Sequence, residues 1–287
     1  RVAAGPHGRI AGLCAASLDD PDTPVAVAGP CLEILGPAEA GLRDKLVSAL
    51  LEGLKKRSAY GLLCECPEFG PQDAFAASGA TETALLLSHW PPAPAPGKGR
   101  RRRSGQRRTV LIEFVSLGEG PAREVFAPYH HAGVIRKIFS QIGLKRLMRE
   151  VESGKGPMDL PAASRVDVEV RPSAGRARLA VESYGRDLLD HIYLRLEDLD
   201  RYGIELVHLD LPLSDPATAS FALPAETLGF SFAGIIPELF GGDVLRLQRL
   251  KGRLLDPPAI PAATEFGADL ARYVWGEYRS SAGAPTE

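Results

Sequence analysis

The chain has 287 residues, 45% of them hydrophobic, with 34 basic and 36 acidic side chains and a formal net charge of -2. That is enough apolar material for about two domains of ordinary size, which excludes a small stapled scaffold. The near balance of charge excludes a whole-molecule field for nucleic acid or an anionic membrane, so any basic contact has to be local.

Four cysteines are too few for a disulfide framework, and neither a signal peptide nor a spanning apolar run is present, so a cytoplasmic chain is expected. The first residues, Arg1-Val2-Ala3-Ala4-Gly5, carry no methionine and read as a strand already in progress, so upstream elements are expected to be missing.

In chain order, residues 1–4 and 9–17 read as two strands of a hairpin across Gly5-Pro6-His7-Gly8. A third strand over 25–35 is interrupted at Gly29-Pro30, where a bulge or bend is expected. Leu42, Leu46, Leu50 and Leu54 then repeat every four residues, with Lys45, Lys55 and Lys56 off the stripe: an amphipathic helix. Residues 62–66 form a short buried strand closed by Pro67. A short helix over 72–78 ends at Gly79, and 83–88 is a strand. Cys64 and Cys66 share one strand face in a core pattern, with neither a CxxC spacing nor a close histidine, so no metal site is read there.

Residues 91–108 are rich in proline, glycine and arginine and read as a linker. Arg100-Arg101-Arg102-Arg103 with Arg107-Arg108 is a local basic patch, but it lacks interleaved aromatics and reads as solvated connector rather than a nucleic-acid site. Beyond it come a strand at 124–127 and a helix over 129–142, opening with His130 and His131. A loop or ragged helix follows at 147–161, then a hairpin of 165–170 with 177–181. Next are a helix over 186–202, a strand at 206–211, a helix capped by Ser214 or Asp215, and two strands at 230–236 and 244–250. One more helix is expected at 265–278.

The two stretches repeat: Gly41 to Pro67 and Gly185 to Pro212 carry the same helix and strand, and each proline is followed by a short helix ending at Gly79 or Gly229 and then a strand. The expected division is a first unit at 1–90, the linker at 91–108, a second unit at 109–255, and a C-terminal helix and tail at 256–287.

Two hairpin strands, a third strand, a helix entered through a glycine turn, a strand, a short helix and a closing strand resemble the order of the GNAT N-acetyltransferases. The stretches carrying this are Gly61-Leu62-Leu63-Cys64-Glu65-Cys66-Pro67 with Glu82-Thr83-Ala84-Leu85-Leu86-Leu87, and Leu209-Asp210-Leu211-Pro212 with Phe232-Ala233-Gly234-Ile235-Ile236-Pro237 and Gly242-Asp243-Val244. More narrowly, the chain resembles a bacterial tandem type whose GNAT-like halves often follow an anti-sigma-factor-type ATP-binding kinase domain. The fold so implied is α/β, two GNAT-like units each with a mixed central sheet flanked by helices, the first truncated at its N-terminus.

The resemblance also implies acetyl-CoA as cofactor, its pyrophosphate against backbone N–H groups at a helix start. The matching residues are Gly41, Leu42 and Arg43. Of the family's Gln/Arg-x-x-Gly-x-Gly/Ala loop, Ala38-Glu39-Ala40-Gly41-Leu42-Arg43 keeps one glycine, and Tyr184-Gly185-Arg186-Asp187 is shorter still. A carboxylate base is required to take the proton of a small-molecule or protein amine, and Glu65 and Glu33 are the candidates. Where the family places a tyrosine acid, Phe75 and Ala225 stand. The function so implied is N-acyltransfer, degenerate in its cofactor loop. The alternative is a non-catalytic sensory or interaction module working with a kinase-type regulatory protein.

Overall fold

The computed structural model describes residues 2–4, 10–18, 25–28, 32–34, 41–66, 75–92, 107–152, 159–239, 241–252 and 262–281. The first hairpin forms as expected, β1 (Val2–Ala4) against β2 (Ile10–Cys14). The expected third strand divides between two sheets. Its first part, β3 (Val25–Ala28), joins a nine-stranded sheet, while β4 (Leu32–Ile34) pairs with β2 in a three-stranded one. The glycine-proline interruption lies between the two parts, outside the described residues.

The leucine stripe becomes α1 (Leu42–Lys55), burying Leu42, Leu46, Leu50 and Leu54. They form one core with Cys64 and Cys66 of β5 (Gly61–Cys66) and with Phe75. Next come β6 (Ala80–Trp90), β7 (Arg108–Ser116) and β8 (Arg123–Pro128). A 3-10 turn at Tyr129–His131 leads into α2 (Ala132–Ile142), followed by β9 (Arg146–Val151). The hairpin of β10 (Arg165–Arg171) and β11 (Arg176–Ser183) precedes α3 (Leu188–Arg201) and β12 (Leu206–Pro212). The chain continues with α4 (Ala217–Thr227), β13 (Ser231–Leu239), β14 (Gly242–Leu250) and α5 (Glu265–Ser281).

The result is a mixed α/β protein. Its large sheet runs β10-β11-β12-β14-β13-β6-β7-β5-β3. Two of its pairs are parallel, β11 with β12 and β3 with β5, and each is bridged by a 14-residue helix, α3 or α1. From each parallel pair inwards the strands are antiparallel, so β3-β5-β7-β6 and β11-β12-β14-β13 have the same pairing order.

Residues 109–116 lie in β7, which is hydrogen-bonded to β5 and β6, so residues 91–107 connect two paired strands. Two expectations need correction. Residues 146–151, read in part as a loop, form β9, a parallel partner of β8. Of the short helix at 72–78, only 75–76 are helical among the described residues.

The two halves of the sheet meet where β6 and β13 pair antiparallel at Gly234 and Ala84. Gly234 has φ +139, and a Cβ there would stand 2.4 Å from the Ala84 Cα and from the Thr83 carbonyl oxygen. Gln248 of β14 extends the seam: its Oε1 accepts the Leu87 N–H at 2.8 Å and its Nε2 donates to the Leu85 carbonyl at 3.2 Å. Helix α5 is fastened to the same strand by Glu82, which is buried and accepts from the Thr264 backbone N–H at 3.2 Å and the Thr264 hydroxyl at 2.6 Å.

A buried ion cluster ties the β8–β9 pair to the β13–β14 hairpin. Arg123 reaches Glu238 through Nε at 2.9 Å and Nη2 at 2.8 Å, and Arg146 bridges Glu238 and Asp243, with Nη2 3.1 Å from the Asp243 Oδ1. The Arg146 side chain is 1% exposed.

Gly234→Ala is expected to cost more than about 3 kcal/mol, combining positive-φ strain with a backbone clash. Urea unfolding measures this, and an unchanged midpoint would contradict the close approach of β6 and β13. Arg146→Ala is expected to cost about 3–5 kcal/mol in the same assay, because it leaves buried carboxylates short of a counter-charge.

Candidate functional site

Strict alternation along β5 sends Cys64 and Cys66 into the α1 side of the sheet and turns Glu65 to the other. On that other face the sheet curls, so that β5 and β11, six places apart in strand order, line one cleft of about 420 Å³. Into it come Glu65, His89 of β6, Arg176 and Arg178 of β11, His208 of β12 and Arg246 of β14. Both halves of the sheet thus contribute to a single site.

The two imidazoles stack, with ring centroids 5.2 Å apart and planes 14° from parallel. A guanidinium nitrogen of Arg176 contacts the His89 Nε2. Arginine only donates, so Nε2 accepts and the ring proton of His89 sits on Nδ1. That Nδ1, like the His208 Nε2, has no hydrogen-bond partner among the described residues. Burial, reinforced by the surrounding arginines, holds both histidines well below the ordinary imidazole pKa. At neutral pH they are uncharged.

Glu65 Oε2 stands 3.8 Å from the His89 Nε2. Burial raises its carboxyl pKa above the usual range, although Arg176, Arg246 and Arg171 pull the other way. Arg246 is held by a two-pronged pair with the buried Asp210, 2.7 Å at each prong. Arg176 lies 5.0 Å over the Trp90 ring, while Arg178 reaches Glu169 at 3.2 Å and Asp167 at 3.3 Å. Arg107 fixes the end of β6 by donating to the carbonyls of Ser88 at 2.6 Å and His89 at 3.2 Å. The arrangement offers a carboxyl more basic than an ordinary glutamate and cations suited to an anionic group.

Of the residues singled out from the sequence, Glu65 lines this cleft. Glu33 falls in β4, and its backbone pairs with Leu13 in the three-stranded sheet; its side chain is outside the described set. Gly41, Leu42 and Arg43 open α1 away from the cleft lining. Gly41 is left-handed at φ +79 and, among the described residues, no side chain caps the helix; Ala38, Glu39 and Ala40 lie outside the described residues. Leu42 packs into the core and Arg43 is exposed.

The matching turn before α3 is closed. The Arg186 N–H donates to the Pro161 carbonyl at 2.9 Å, and a Cβ on Gly185 would lie 2.3 Å from the Ala163 carbonyl carbon. Phe75 and Ala225 are both fully buried and carry no proton donor. Asp215 caps α4, accepting the Ala217 N–H at 2.8 Å. Arg100 to Arg103 lie outside the described residues.

His89, His208, Arg176 and Arg246 are absent from the sequence reading. Their signal is nonetheless there: a histidine or arginine set inside an otherwise apolar strand, as in Leu85-Leu86-Leu87-Ser88-His89-Trp90 or Val207-His208-Leu209.

Compared with known proteins, the chain matches no family model and no curated protein. Among solved structures it is similar to nourseothricin acetyltransferase, at 18% identity and a TM-score of 0.32, over 41% of this chain and 64% of that one. It is also similar to the ribosomal-protein-S18-alanine N-acetyltransferase from Escherichia coli, at 15% identity and a TM-score of 0.32, over 41% of this chain and 68% of that one.

Because the Glu65 carboxyl titrates higher in the folded than in the unfolded chain, the native state binds more protons above the ordinary carboxylate pKa. The stability tied to this group therefore falls as pH rises through that window. Glu65→Gln is expected to raise Tm relative to the parent at neutral pH and to leave it unchanged near about pH 3.5, where both side chains are neutral. A lower Tm for the variant at neutral pH would contradict the raised pKa.

Proposed function

We propose that this chain is a GNAT-type N-acyltransferase in which the first half carries the reaction and the second half walls the acceptor site. The observation that carries the reading is Glu65, a carboxyl of raised pKa in the cleft, on the strand that directly follows α1. The repeated order of elements supports two GNAT-like units, with β7 assigned to the first.

The helix starts differ in their fit to acetyl-CoA. At α3 the segment 161–164 already covers Gly185 and Arg186, and a pyrophosphate does not fit. At α1 an exposed left-handed glycine, uncapped among the described residues, and a neighbouring cation do fit, so Gly41, Leu42 and Arg43 would hold the phosphates. When bound, acetyl-CoA supplies the acyl thioester. Glu65 takes the proton from the attacking amine, a role its raised pKa favours. Arg176 and Arg178 favour an acceptor bearing a carboxylate or phosphate beside that amine. With Phe75 and Ala225 where a tyrosine acid would stand, protonation of the leaving thiolate falls to water.

A second reading, a sensory or interaction module serving a kinase-type regulatory protein, is favoured by the covered start of α3 and by the missing acid. Melting with and without millimolar acetyl-CoA, followed by assay of free thiol against a panel of amines, separates the two. The enzyme reading expects a Tm rise, thiol release that is fastest with anionic amines, and a loss of about 10²–10⁴-fold in rate for Glu65→Gln. A Tm rise without thiol release would favour the sensor, and no Tm change would sink cofactor binding altogether.

A further inference from the structure

Away from the cleft, three side chains from two elements far apart in sequence converge on one point. His130 and His131 end the 3-10 turn before α2, and Glu226 lies in the last turn of α4. The Glu226 Oε1 is 2.8 Å from the His131 Nε2 and 3.1 Å from the His130 Nε2. All three donor atoms lie within 4.8 Å of one another. We propose that His130, His131 and Glu226 form a binding site for a divalent transition-metal ion of the zinc class.

Two imidazole nitrogens and one carboxylate oxygen are the donor set that such an ion takes, and bond lengths near 2.0–2.2 Å would set the donors about 3.3 Å apart. The two distances from the Glu226 oxygen, 2.8 and 3.1 Å, fall short of that spacing by about half an ångström or less, and the two imidazole nitrogens lie within 4.8 Å of each other, so coordination needs only small shifts of the three atoms.

The surroundings orient the ligands. The His131 side chain is fully buried, its ring 4.6 Å from that of the fully buried Phe232, and its other nitrogen, Nδ1, is 2.7 Å from the Tyr273 hydroxyl of α5. A metal-bound imidazole needs its remote N–H held by an acceptor, and the Tyr273 oxygen is in place for that role. Without metal the same hydroxyl donates to Nδ1 while Nε2–H donates to Glu226, so the hydrogen bonds reverse without any atom moving far. His130 is the partly exposed member, at 30% side-chain exposure, and its edge leaves the fourth coordination position to solvent. Bound metal would tie α2, α4 and α5 together at one point.

The test uses the full chain stripped with chelator and titrated with cobalt(II), then with zinc(II). The parent is expected to show the visible absorption of low-coordinate cobalt, one ion per chain, its displacement by zinc, and a Tm that rises with zinc and falls back with chelator. His130→Ala, at the exposed edge, is expected to keep the metal-free Tm and to lose both the absorption and the zinc response. Tyr273→Phe keeps the three ligands and is expected to bind about 10–100-fold more weakly. Absence of the cobalt band in the parent, or a band that survives in His130→Ala, would overturn the site and leave a hydrogen-bonded histidine–glutamate cluster.

Discussion

The structure turns on the close approach of β6 and β13. Gly234 and Ala84 form the one backbone pair between these strands, and no residue with a side chain fits at position 234. Gln248 supplies the neighbouring contacts through its amide, substituting side-chain hydrogen bonds for backbone ones where the ladder is irregular. Remove this junction and the two halves become separate sheets with exposed edges. With it, a continuous curled sheet forms, and residues from strands far apart in order face one another across a cleft.

That cleft is governed by the cost of burying charge. Arg246 is neutralised by Asp210, and the histidines avoid the cost by staying uncharged. Arg176 is accommodated by the Trp90 face and by an imidazole nitrogen. Glu65 is left as the group whose protonation is easiest to move, because burial and three cations act on it in opposite directions. The same accounting operates at Arg146, where two buried carboxylates share one guanidinium. In both places a paired charge fixes the position of a strand relative to its neighbours.

Local patterns in the chain carry much of this. The leucine spacing of α1, the glycines that stop α2 and α3, the alternation in β10 and the turn before β11 all depend on residues close in sequence, so their structure was legible there. Glu65 is named by the resemblance rather than by a local pattern, and the alternation along β5 sets it on the face opposite Cys64 and Cys66. Segments whose structure depends on distant partners were not legible. β9 has polar, exposed positions and exists as a strand through its pairing with β8 and the burial of Arg146 against β13 and β14. The linker between 91 and 108 looks like a domain boundary by composition, yet β7 beyond it returns to pair with β6.

The sequence by itself determined the mixed α/β class and the repeated order of helix and strand, because each is a property of residue type and short spacing. The tertiary structure decided that β7 joins β5 and β6, that both halves of the sheet contribute to one cleft, that the start of α3 is covered, and that His130 and His131 meet Glu226. The pairing of β7, the shared cleft and the histidine–glutamate cluster follow from contacts between residues far apart in the chain, made possible by sheet curvature and a single glycine-sized gap, and no local pattern encodes them.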